Sequence, residues 1–380
     1  MLSGGLAFLA LLLLAVGAWE VRRLAGGRSP LVEGLGFLLL GVVAGEHVLG
    51  ILPGTIVEQL HPVILVGIAW LGLLYGLQVD LKVVRLLKPW HRRVGLLLPL
   101  LPAAAAGGVV LATGGGTALA VMMAGVAAVS SPRLLELVLR RRAPADRALV
   151  RLLRLVMAFS GIPALLLLAG GAALGGGPAV GGGAAAVLAA AVGVLTGFML
   201  GVLGRGERDR VRLMILLLGT VAVAAGAGVA MGQSPLFPAA LAGAVVVNRT
   251  AFPHRLLRVA HEIEPPLYVA LLVLIGAAWT PTRLHLGVLA ALTLGRGVGW
   301  LAAGGLLRLV AGRHAVPLSR RWSGLGWLPQ GPLAVGLALA AVELCGGEPG
   351  VLEAAVLGVV VNHLAGRWWA VRVLPRREAA

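Results

Sequence analysis

Cysteine is nearly absent: Cys345 is the only one in 380 residues. That excludes an intrachain disulfide and any cysteine-built metal site. Charge is scarce too, at 12% of residues, and acidic charge is scarcer still, with 15 Asp and Glu against 32 Lys and Arg. Aromatic residues make up 4% and are not interleaved with the arginines as on a nucleic-acid-binding face, so the net charge of +17 does not point to RNA or DNA. No glycine cluster sits between a strand and a helix start, which excludes a phosphate-binding loop. No histidine pair has metal-ligand spacing within one helix, and no segment carries a nucleophile with its base. Neither a metal, a cofactor nor an enzyme is expected.

What the chain has in abundance is apolar sequence, 59% of residues at a mean hydropathy of +0.97. It falls into runs of about 18 to 25 residues, the length at which a helix rising 1.5 Å per residue crosses ~30 Å of hydrocarbon. Thirteen such segments are expected, among them residues 2–19, 117–139, 148–174, 265–279, 284–310, 323–345 and 350–369. Thirty of the 32 basic residues fall on alternate gaps: Arg22 and Arg23, then Lys82 to Arg93, then Arg133 to Arg154, and so on to Arg376 and Arg377. This alternation places the amino terminus outside and the carboxy terminus in the cytoplasm of a bacterial-type inner membrane. The first segment has no preceding positive charge, the reverse of a secretory signal, and is expected to stay in the mature protein.

Two segments are interrupted. The fifth contains Ser130-Ser131-Pro132 and the twelfth Leu328-Pro329-Gln330-Gly331-Pro332. Proline removes a backbone donor, and in hydrocarbon that is tolerated only where protein or water satisfies the freed carbonyls. The two interruptions are an odd number of segments apart, so the segments run in opposite directions. Paired broken helices in inverted halves point to the substrate site of a secondary transporter; two ligand-free proline kinks are the plainer alternative.

At these residues the chain resembles the cation:proton antiporter superfamily, the sodium/proton and potassium/proton exchangers. Residues 34–45 are similar to the family's first conserved helix, Leu71 to Asp80 to its LLFxxGLExD stretch, Ala242 to Asn248 to AGxxxxN, and Leu328 to Ala334 to the PRGxxA crossing helix. The resemblance implies one all-α membrane domain over residues 1–380, with inverted repeats and two crossing broken helices. A scaffold of about residues 1–80 and 211–280, a core of about 94–174 and 284–374, and a linker of about 178–203 would follow. So would a homodimer in the lipid bilayer exchanging protons for monovalent cations.

One departure matters. The family's cation-binding Asp falls on Gly161 here, and its neighbour on Ser160. The other acids are expected near helix ends or in loops, Glu264 among them, with Glu46 and Glu343 kept as pathway candidates. His363, next to Asn362, is either a packed histidine or a proton carrier, since imidazole changes charge near neutral pH. Arg296 lies near the centre of segment eleven, where a guanidinium costs ~2.5 to 3.5 kcal/mol and requires partners. Those partners are carbonyls at the broken-helix ends, a bound anion or water. In the family a basic residue here pairs with the missing Asp, so an Asp placed at 161 is expected to pair with Arg296. Ser130, Ser131 and Ser160, with Gly161, Gln330 and Gly331, complete the candidate ion site; the serines are suited either to coordinate a dehydrated cation or to bond the broken backbone.

The expected activity is monovalent cation:proton antiport. A transporter or channel on the same fold with another solute, such as an anion held by Arg296, is the first alternative, and a non-transporting regulatory relative the second. The topology is checked by reporter fusions: those after Arg142 and Arg210 are predicted to read cytoplasmic and those near Gly176 external, and the opposite pattern would overturn the segment count.

Overall fold

In a computed structural model of the chain, the described residues are 35–131, 147–175, 182–207, 209–250, 253–280, 284–311, 324–348 and 350–373. The first expected segment, residues 2–19, lies outside them, as do Pro132 and the arginines from Arg133 to Arg142. The described residues form helices and no strand.

The chain begins its described course with α1 (Leu35–Ala44), the short α2 (Gly54–Gln59) and α3 (His61–Gly76). After the short α4 (Leu81–Leu86) come α5 (Pro89–Leu97), α6 (Leu100–Ala112), α7 (Thr117–Ala128), α8 (Arg147–Phe159) and α9 (Gly161–Leu174). α10 (Gly182–Leu203) follows, then α11 (Arg210–Ala230), α12 (Leu236–Arg249) and α13 (Pro253–Ala277). The last part is α14 (Leu286–Ala290), a π-helical turn (Ala291–Gly295), α15 (Arg296–Ala311), a 3-10 turn (Leu325–Trp327), α16 (Pro332–Leu344) and α17 (Val351–Val373). Six stretches among the described residues are long and apolar enough to cross a membrane, and five shorter apolar helices accompany them. The chain is an integral, multi-pass membrane protein.

α3 packs most closely on α12, and α13 on α1. α7 lies between α6 and α9, with α15 against α6. In lipid, apolar side chains gain little by meeting one another, so close approach of backbones takes over. Glycine supplies it here. A Cβ on Gly76 would meet the carbonyl of Ala240, and one on Gly243 the carbonyl of Leu73, so α3 and α12 touch backbone to backbone. Gly41 and Gly276 do the same for α1 and α13, against the carbonyls of Val273 and Leu38. By contrast, α10 turns Val187, Leu195, Phe198 and Leu203 outward, as a helix facing lipid does.

The expected tenth segment, residues 265–279, is displaced. Its helix begins at Pro253 and continues through Pro265 and Pro266. Reading that pair as a helix start follows from proline's preference for the first turn; a 15-residue segment is in any case too short to span.

The glycine contacts predict a stability difference. Gly243→Val is expected to cost about 1–3 kcal/mol by overpacking, whereas Gly219→Val, on α11 with nothing within 4 Å of its would-be Cβ, is expected to be near neutral. Thermal unfolding of the two variants in detergent checks this; equal shifts would refute the close-packing account.

Candidate functional site: the crossing of two broken helices

α7 stops at Ala128 and the chain runs extended through Val129 to Ser131. From the other half, the 3-10 turn ends at Trp327 and the chain runs through Leu328 to Gly331 before α16 starts at Pro332. The two stretches meet: Ser131 N donates to Pro329 O at 2.8 Å. A Cβ on Gly331 would lie 2.6 Å from Ser131 Oγ, so only glycine allows the two chains so near. The breaks expected near Ser131 and Gly331 are therefore both present and in contact.

Each break leaves carbonyls with no helical N–H to accept from. Arg296 supplies the donors. Its guanidinium, fully buried at 0% exposure, donates from Nε to Ala127 O at 2.9 Å and from Nη1 to Leu328 O at 2.8 Å. Nη2 donates to Val129 O at 2.8 Å and Trp327 O at 3.0 Å, and to Ser130 Oγ at 3.1 Å. Both broken ends thus converge on one cation, at the negative pole of α7. No carboxylate among the described residues pairs with it. The π-helical turn directly before Arg296 is a further irregularity; Asn362 Nδ2 satisfies the Leu292 carbonyl inside it at 2.6 Å.

Around this centre the remaining candidates act as stitches. Ser130 N donates to Ser160 Oγ at 3.0 Å, and Ser160 Oγ donates to Met157 O at 2.8 Å. Ser130 Oγ donates to the Trp327 carbonyl. Gln330 Nε2 donates to Val126 O at 2.7 Å, and its Oε1 accepts from Asn362 Nδ2 at 3.2 Å. His363 Nδ1 donates to Gln330 O at 2.9 Å. Ser131 differs from the others, because its hydroxyl makes no hydrogen bond among the described residues.

A cavity of about 390 Å³ reaches the crossing from the side of α3 and α13. Ser130, Ser131, Ser160 and Gly331 line it on one wall; Tyr75, Gln78, His261 and Glu264 line it on the other. Arg296, Gln330, Gly161 and His363 are not on its surface, nor are Glu343 and Glu46. Glu343 instead meets His61 Nε2 at 3.2 Å, joining α16 to α3, and Glu46 accepts from Gly54 N at 2.9 Å. Gly161 faces away from Arg296: a Cβ there would meet the Tyr75 ring, with the phenol oxygen at 2.7 Å. An Asp at 161 would run into Tyr75, not pair with Arg296 as the sequence suggested. Tyr75 in turn donates to Ala158 O at 3.2 Å.

The fold is that of a sodium proton antiporter. Two solved structures of the sodium proton antiporter from Methanocaldococcus jannaschii match nearly end to end. The one at pH 8 has a TM-score of 0.69 at 15% identity, covering 97% of this chain and 98% of that one. The other, an electron-microscopy map, has a TM-score of 0.62 at 14% identity, covering 99% and 98%. No family sequence model matches the chain, and no curated protein sequence does. The likeness is thus one of fold.

Sequence reasoning misses one residue of the cavity. It puts Glu264 at a segment edge, yet this acid lies near the middle of the 25-residue α13 and is 5% exposed. His261 Nδ1 lies 2.8 Å from its carboxylate. Leu257, His261 and Glu264 follow one another at helical spacing on the face that lines the cavity. That stripe is the available signal.

Arg296→Met is expected to unpair the helix-end carbonyls at about 1–3 kcal/mol each, and Arg296→Lys to rescue only part, since an ammonium lacks the planar fork. Loss of monodisperse protein or a sharply lowered unfolding temperature in both, more severe in Met, is the predicted outcome; wild-type stability in Arg296→Met would refute the clamp.

Proposed function

We propose that the chain is a secondary transporter that exchanges protons for a monovalent cation, sodium or potassium. The observation that carries this reading is the crossing of two broken helices at the end of a cavity whose largely apolar walls carry three serines, Tyr75, Gln78, His261 and Glu264. In hydrocarbon such irregular backbone persists only where protein or a water-filled space satisfies it, and its extended stretch exposes groups that can replace a cation's hydration shell.

The mechanism follows from the packing. α5 to α9 with α14 to α17 form a core that carries Ser130, Ser131 and Ser160. α1, α3 and α11 to α13 form a scaffold, with α10 as the link. A cation entering the cavity meets oxygen ligands from both sides, and displacement of the core against the scaffold carries the crossing from one face of the membrane to the other. Where the two meet, Tyr75 sits over Gly161 and donates to Ala158 O, and His61 meets Glu343, so such sliding would exchange these contacts. With the amino terminus outside and the carboxy terminus cytoplasmic in a bacterial-type inner membrane, the cavity, lined by the carboxy-terminal end of α3 and the first half of α13, would lie on the cytoplasmic side, and this would be the inward-open state. A homodimer joined through the scaffold would hold that half still. Arg296, engaged by carbonyls and absent from the cavity wall, offers an anion no binding group, so no observation favours the changed-solute alternative.

Everted vesicles or proteoliposomes holding the full chain and a pH-sensitive dye test the reading. Sodium, potassium or lithium added outside is predicted to dissipate an imposed proton gradient, where empty vesicles do not. Absence of any cation-dependent proton movement across the neutral pH range would overturn it.

A further inference from the structure

The exchange reading requires a group that holds a proton and a cation in turn, and position 161 has no side chain to do so. We propose, resting on that reading, that Glu264, steadied by His261, is this group, so that the ionisable half of the site belongs to the scaffold helix α13 and not to the core.

Four observations converge on it. Glu264 is the only carboxylate among the described residues that line the cavity, and no Lys or Arg among them lines it. It is buried in the middle of a membrane-spanning helix, a position where an ionisable side chain is costly unless it is paired and functional. Its partner His261 lines the same cavity and is partly exposed, so the pair is within reach of water. The next two residues are Pro265 and Pro266, which have no N–H to give, so the carbonyls of His261 and Glu262 lose their helical partners. Backbone oxygens released beside a carboxylate are hard ligands suited to a small cation.

Other described residues line the same cavity. From α3 come Tyr75 and Gln78; from the crossing, Ser130 and Ser131; from the α8 to α9 junction, Ser160. Of these the Ser131 hydroxyl has no other hydrogen bond among the described residues and projects from the core wall. From α11, Arg210 pairs with Glu262 instead of Glu264. The step balances simply: the carboxylic acid releases its proton as a monovalent cation binds the carboxylate, one positive charge replacing another on the same group. Because the acid stays with the scaffold, the core need carry only neutral hydroxyls and the fully engaged Arg296.

Two measurements on the full chain decide this. Sodium, potassium or lithium chloride is added to weakly buffered, detergent-solubilised protein, and proton release is followed with a dye. Wild type and Glu264→Asp are expected to release protons, with Asp at a shifted cation midpoint, and Glu264→Gln to release none and to lose exchange in proteoliposomes. His261→Asn is expected to keep exchange but shift its pH profile. Release and exchange in Glu264→Gln equal to wild type would overturn the assignment while leaving the exchange reading intact. No release and no exchange in wild type would overturn both. Should Glu264→Gln fail to fold, wild type is treated with N,N′-dicyclohexylcarbodiimide and mapped by mass spectrometry. Labelling of Glu264 that sodium, potassium or lithium suppresses supports the site, and labelling indifferent to all three cations refutes it.

Discussion

The structure depends on a buried guanidinium that has no acid to pair with. Removing a charge from water is expensive, and a lone buried cation would be intolerable. Arg296 is held because two broken helical ends present their unsatisfied carbonyls to it from opposite sides, four oxygens on three nitrogens. The dependence is mutual. Without the arginine the carbonyls of Ala127, Val129 and Leu328 lose the donor it supplies, and that of Trp327 is left with Ser130 Oγ; without the breaks the arginine loses these carbonyl ligands. Planarity matters, since one fork reaches two chains at once. The tilted Trp300 and Trp327 rings, 5.0 Å apart, close the apolar side of the cluster.

This self-sufficiency frees the crossing from needing a carboxylate. In the family this chain resembles, an acid at the position of Gly161 stands beside the crossing. Here that volume belongs to Tyr75, which reaches over from α3 and bonds Ala158. The glycine and the tyrosine fit one another: the space that a side chain at 161 would take is filled from α3. A buried acid does exist, but on the opposite wall of the cavity, on α13. Transport chemistry of the proposed kind would then place the exchangeable acid on the α13 wall, opposite a crossing whose one charge, Arg296, is fully engaged by backbone carbonyls.

How legible this is in the sequence varies with the kind of signal. Proline and glycine in Leu328-Pro329-Gln330-Gly331-Pro332 and the serine pair at 130 and 131 mark both breaks, because within an apolar run such residues do little except interrupt a helix. Arg296 stands out for its charge in an apolar run, and its need for partners follows from its depth, though not which of carbonyls, an anion or water they are. Glu264 does not stand out. Pro265 and Pro266 imitate a helix start, so the sequence pattern begins the helix at Pro265 instead of Pro253 and leaves its acid at the segment edge. The π-helical turn at Ala291–Gly295 has no sequence mark at all, since it depends on Asn362 arriving from α17. Tyr75 over Gly161 is a contact between residues 86 positions apart, which one sequence cannot supply.

The most direct test of the central claim is electron cryomicroscopy of the chain in lipid nanodiscs, at a resolution that shows the Arg296 side chain. The account predicts a guanidinium enclosed by the carbonyls of Ala127, Val129, Trp327 and Leu328, with no acidic side chain in contact. A guanidinium paired with a carboxylate, or helices that run unbroken through Ser131 and Gly331, would contradict it.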